Sequence, residues 1–115
     1  MVMPYLAQQT VTDYGHLQSD QKYSAKLAAS TDTALLVPSD AKRYKAVIHY
    51  APIADELWFA VNNTATVAAG AAFAFTNSEL INLIGTTREV AGGDVLHFIT
   101  PSPDISVSIM LYEVR

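Results

Sequence analysis

Ile105–Val114, ISVSIMLYEV, is the stretch on which the fold turns. Ile105, Val107, Ile109 and Leu111 alternate with Ser106, Ser108, Met110 and Tyr112. A strand sends successive side chains to opposite faces, so this period of two describes a strand with one face in a core and the other toward water. Because the stretch closes the chain, the expectation is a central strand with no tail left for a second module.

Working back toward the N-terminus, the same grammar repeats. Pro101-Ser102-Pro103-Asp104 is a stop, since proline fixes φ and has no amide to give a ladder. Val95–Thr100 reads as the preceding strand, and Ala91-Gly92-Gly93-Asp94 as a tight turn linking it to Arg88–Val90. The two glycines suit φ > 0, and Asp94 is expected to accept backbone N–H bonds within the turn rather than bind an ion. Tyr44–Ala51 places Tyr44, Ala46, Ile48 and Tyr50 on one face, while Leu57–Asn62 places Leu57, Phe59 and Val61 opposite Trp58, Ala60 and Asn62. Asn62-Asn63-Thr64 turns the chain into Val67–Gly70 and Ala71–Thr76, where Phe73 and Phe75 alternate with alanines and are assigned to the core. Thr33–Val37, stopped by Pro38-Ser39-Asp40, is a further strand, and Tyr23–Ala29 reads as a strand or, given its alanines, a short helix. Ser78–Ile84 reads two ways, as a short helix capped by Ser78 or as a strand ended by Gly85, with length and capping favouring the helix. Seven or eight short strands at spacings of roughly 8–12 residues, with no regular helix–strand alternation, point to an antiparallel sandwich or barrel. Its expected core is Ile48, Leu57, Phe59, Val61, Phe73, Phe75, Leu96, Phe98, Val107, Ile109 and Leu111.

At 115 residues the length fits one domain, over residues 22–115, with a single core. Residues 1–21 are polar and carry scattered apolar anchors at Tyr5, Leu6, Val11, Tyr14 and Leu17, interrupted by Pro4 and Gly15. No 3.6-residue stripe emerges, so this stretch reads as an extended arm or as a frayed end. The arm is expected to lie across a neighbouring subunit, its anchors in successive pockets.

Composition narrows the chemistry. With no cysteine, the chain offers no disulfide, thiolate nucleophile or Cys-ligated metal centre. Only 16% of residues are charged, below the roughly 25% usual for soluble domains, so some surface is expected to be covered by a partner or by further copies in a dimer or trimer. A net charge of -4 and no basic cluster longer than Lys42-Arg43 argue against nucleic-acid and membrane-surface binding. No apolar run approaches spanning length, and Met1–Asp20 lacks the cationic start and apolar stretch of a signal peptide, so the protein is expected to be made in the cytoplasm.

No motif announces catalysis or a cofactor. His16, His49 and His97 sit in no HxH, HxxE or HExxH arrangement, and metal is not expected at any of them. Asp55 and Glu56 are adjacent, so their side chains diverge instead of facing each other across a bond. A small cupin-like enzyme would need His49 and His97 to converge on a carboxylate. Trp58, out of phase with Phe59, is the aromatic expected to contact a partner or a glycan.

LWFAVNN at 57–63, Ala71–Phe75, REVAGGDVLHF at 88–98 and ISVSIMLYEV at 105–114 together resemble the small decoration, or cement, proteins of tailed-phage capsids, over roughly residues 44–115. The resemblance implies an all-β, antiparallel β-sandwich of jelly-roll type carrying an extended N-terminal arm. It implies a non-enzymatic protein of the virion's outer surface that bridges neighbouring major capsid proteins, with no catalytic residues and no cofactor. The alternative expectation is a carbohydrate- or receptor-binding jelly-roll module using Trp58 and nearby tyrosines.

Overall fold

A computed structural model of the chain describes residues 21–52, 55–81 and 85–114. Eight strands run through these residues: β1 (Gln21–Leu27), β2 (Thr33–Leu36), β3 (Arg43–Ala51), β4 (Trp58–Val61), β5 (Glu79–Leu80), β6 (Thr86–Ala91), β7 (Val95–Ile99) and β8 (Ile105–Glu113). They form two four-stranded sheets, ordered β1-β8-β3-β6 and β2-β7-β4-β5, and every pairing is antiparallel. No helix occurs among the described residues.

The ISVSIMLYEV stretch is a central strand, β8, flanked by β1 and β3. Its alternation holds residue by residue: Ile105, Val107, Ile109 and Leu111 are buried, and Ser106 and Ser108 are exposed. Cross-strand partners share a face, so Ile48↔Ile109 and Ala46↔Leu111 on β3, with Tyr23↔Ile109 and Leu27↔Ile105 on β1, line one apolar layer. The facing sheet supplies Phe59 and Phe98, register partners on β4 and β7 whose ring centroids lie 5.1 Å apart, together with Leu57 and Leu96.

The β6–β7 turn joins the two sheets. Gly93 takes φ 91°, and Asp94 Oδ2 accepts the Ala91 amide at 2.9 Å, as the turn signature requires. Gly92 donates to Lys42 O at 2.7 Å, and a Cβ there would stand 2.7 Å from Pro38 O, so backbone packing requires glycine. Beside it, the Tyr44 hydroxyl donates to Asp40, which lowers the Asp40 carboxyl and pushes the phenol up to about 12.

The two lateral sides of the sandwich differ. On one, the edge strands β5 and β6 carry charge at inward-phase positions, because Glu79 pairs with Phe59 and Arg88 with Ala46. The two charges meet across the gap: Arg88 Nε donates to Glu79 Oε1 at 2.8 Å and Nη2 to Oε2 at 2.5 Å, a fork that closes this side. On the other side, the inward positions Ala25 and Thr33 of β1 and β2 are small. A groove of about 400 Å³ opens there, floored by Tyr23, Leu27, Leu35, Phe98, Val107 and Ile109.

Three expectations from the sequence are corrected. Ser78–Ile84 is not a helix where described, because Glu79–Leu80 pairs with Trp58–Phe59 as β5. Ser78 is not a helix cap either; its hydroxyl accepts the distant Thr66 amide at 2.8 Å. Residues 67–76 form no strand, and Phe73 and Phe75 are 110% and 95% exposed instead of core. An alanine-rich segment offers too little apolar area to repay docking on a sheet, whatever its alternation. The proposed arm boundary also moves, since Gln21 is the first residue of β1, pairing with Leu111.

Candidate functional site: an exposed apolar loop

Between Val61 and Glu79 the sequence contains no charged residue. This β4–β5 connection leaves the sheet at Asn62, whose φ of 61° is a conformation asparagine tolerates. Asn62 is bonded on three sides: its amide donates to Val95 O at 2.7 Å, its Nδ2 to Asp94 Oδ1 at 3.0 Å, and its Oδ1 accepts the Val95 amide at 2.8 Å. The chain then folds back over the outward face of the β2-β7-β4-β5 sheet. Ala60, on the outward phase opposite Phe59, is only 2% exposed, and Ala65 only 1%.

The base of the loop is pinned by a carboxylate. Asp32 Oδ1 accepts the Ala65 amide at 2.9 Å while Oδ2 pairs with His97 Nδ1 at 2.8 Å, so one side chain ties the loop to both β2 and β7. Partial burial pushes the Asp32 carboxyl up, but the hydrogen bonds from His97 and the Ala65 amide more than reverse this, and it sits below the ordinary carboxylate value. A cluster of hydroxyls then closes the neck. Thr66 donates its amide to Ser78 Oγ, its Oγ1 lies 3.3 Å from Thr76 Oγ1, and the Ser78 amide donates to Thr76 Oγ1 at 3.2 Å.

Beyond this neck the segment Val67–Phe75 reads VAAGAAFAF, with Ala68 to Phe75 all exposed. A stem fixed by polar bonds therefore carries a tip without a polar side chain. Contiguous exposed apolar surface of this kind is unusual on a soluble domain and makes the tip the candidate contact surface. Leu36 and Leu80 add exposed apolar groups on the edge strands of the same sheet.

The residues singled out from the sequence fall as follows. Trp58 is half-buried on β4, its indole Nε1 donating to Glu56 Oε1 at 2.9 Å. Tyr5, Leu6, Val11, Tyr14 and Leu17, with His16, lie outside the described residues. His49 and His97 occupy outward phases of different sheets, so they do not converge on a carboxylate. Among the described residues, no three His, Cys, Asp or Glu side chains group as a metal would need. Phe73 and Phe75, which alternation alone places in the core, are exposed; the sequence signal for this is the alanine-rich run around them, which offers too little area to dock. Compared with known proteins, the chain matches no family model, no curated protein and no solved structure.

Proposed function

We propose that the protein is a non-enzymatic structural protein of a phage virion, a jelly roll that binds the outer surface of the capsid and staples neighbouring major capsid proteins. The observation that carries its role as an assembly protein is the pinned, uncharged loop with Phe73 and Phe75 fully exposed. The capsid as the setting rests on the sequence resemblance at 57–63, 71–75, 88–98 and 105–114. The jelly-roll form is supported by the strand order, since β1-β8-β3-β6 facing β2-β7-β4-β5 is what two interlocked Greek keys produce. In this proposal the arm, with Tyr5, Leu6, Val11, Tyr14 and Leu17, supplies capsid contacts, and copies self-associate as a dimer or trimer. A glycan-binding role draws less support, because the Trp58 indole is half-buried and already bonded to Glu56, and the exposed phenylalanines have no polar handle for a sugar.

The test is addition of purified protein to capsids that lack it. Saturable, stoichiometric binding is expected, and removal of residues 1–20 should weaken it at least ~tenfold, about 1.4 kcal/mol. No binding at micromolar protein would remove the capsid from the proposal.

A further inference from the structure

We infer that the tip of this loop docks in the β1/β2 groove of a second copy of the same chain, Phe73 and Phe75 filling it. The inference rests on the assembly role just given to the loop and names its partner.

The groove and the tip match in several independent respects. The groove is mostly apolar, floored by Tyr23, Leu35 and Phe98 with Lys22, Ser24 and Thr33 among its lining, and its volume of about 400 Å³ is within the roughly 300–1,000 Å³ of pockets that enclose small organic groups, the scale of two benzyl side chains. Phe73 and Phe75 are separated by one alanine, so an extended backbone presents both rings on one side, as a strand bordering a groove does. The walls are edge strands: β1 hydrogen-bonds β8 and β2 hydrogen-bonds β7, and no other described strand pairs with either. Among the described residues, no hydrogen bond ties Val67–Phe75 back to its own sandwich. The loop therefore brings unused backbone donors and acceptors to an edge that can take them, the chemistry of strand addition.

The occupant is a second copy and not the loop's own chain, because the stem is fixed on the outward face of one sheet whereas the groove lies between the sheets. With its stem so fixed, Phe73 and Phe75 stand exposed. Every copy presents one tip and one groove on different surfaces. Such a contact is heterologous and closes into a ring when the rotation between copies permits.

Two variants separate the halves. Phe73→Ser/Phe75→Ser removes the tip and leaves the groove, while Ala25→Arg fills the groove from an exposed position and leaves the tip. Sedimentation velocity across a concentration series should show that the full chain self-associates and that each variant does so at least ~tenfold more weakly. Mixing the two variants should restore a 1:1 heterodimer that grows no further, because it retains one working tip and one working groove. Circular dichroism melts confirm that both variants fold. Undiminished self-association of the Phe73→Ser/Phe75→Ser protein would overturn the inference, as would a monomeric full chain at all concentrations. Loss of association on removing residues 1–20, with the double variant still associating, would give the groove to the N-terminal segment and equally overturn it. Capsid addition is scored separately. If the double variant associates normally but no longer joins capsids, the tip faces the capsid protein and the inference fails while the capsid role stands; if the full chain associates through the tip but ignores capsids, the reverse holds.

Discussion

Phe98 shows what a single side chain contributes here. It is 3% exposed, stacks at a tilt on Phe59, and forms part of the groove floor. Truncating it, or Ile109 at the centre of β8, removes apolar contact and leaves a cavity, so Phe98→Ala and Ile109→Ala should each cost on the order of 2–5 kcal/mol in urea unfolding. Unchanged unfolding midpoints in both would contradict the strand phasing. Asp32 gives a pH signature. Its folded carboxyl is held below the unfolded value, so its contribution is present above the unfolded pKa and is lost as pH falls through the folded one. The stability gap between the native chain and Asp32→Asn should hold steady above about pH 4 and shrink below it. A gap that widened toward acid would contradict the sign. Most of the core was legible at this scale: Ile48, Leu57, Phe59, Leu96, Phe98, Val107, Ile109 and Leu111 are all buried on the phase that their alternation predicts. Ala60 was not, because its burial comes from a loop folding over the outward face, and alternation says nothing about what a loop covers.

Among the elements, the strands were readable from the sequence and the β4–β5 connection was not. Alternation of Phe and Ala at 72–75 satisfies a strand template, yet a strand also needs a paired edge and enough area to bury, and this segment makes no strand pairing and stays exposed. Ser78 misled for a related reason: a residue that caps helices also binds distant amides, and Thr66 claimed it. The pinned stem implies that the tip contributes nothing to folding. Replacing residues 67–75 by a short Gly-Ser linker between Thr66 and Thr76 should change the unfolding free energy by no more than about 0.5 kcal/mol, the scale of ordinary surface changes. A loss of several kcal/mol would mean that the tip packs on its own domain.

For the whole molecule, the strand order could not be read from periodicity, which is blind to loop paths, whereas the all-β class followed directly from it. Because β1 begins at Gln21 and pairs along its length with β8, a chain starting at residue 21 should fold with an unchanged melting temperature; failure to fold would make residues 1–20 an integral part of the domain. The Arg88–Glu79 fork has a consequence for how this protein survives crowding. A fibril built by strand addition needs two adhesive sides on every unit, one to join and one to be joined. Here one side is occupied by inward-phase charges that an arriving strand would have to strip of their partners. Edge-to-edge stacking is therefore disfavoured at the β5/β6 flank, and association through exposed backbone is left to the β1/β2 flank.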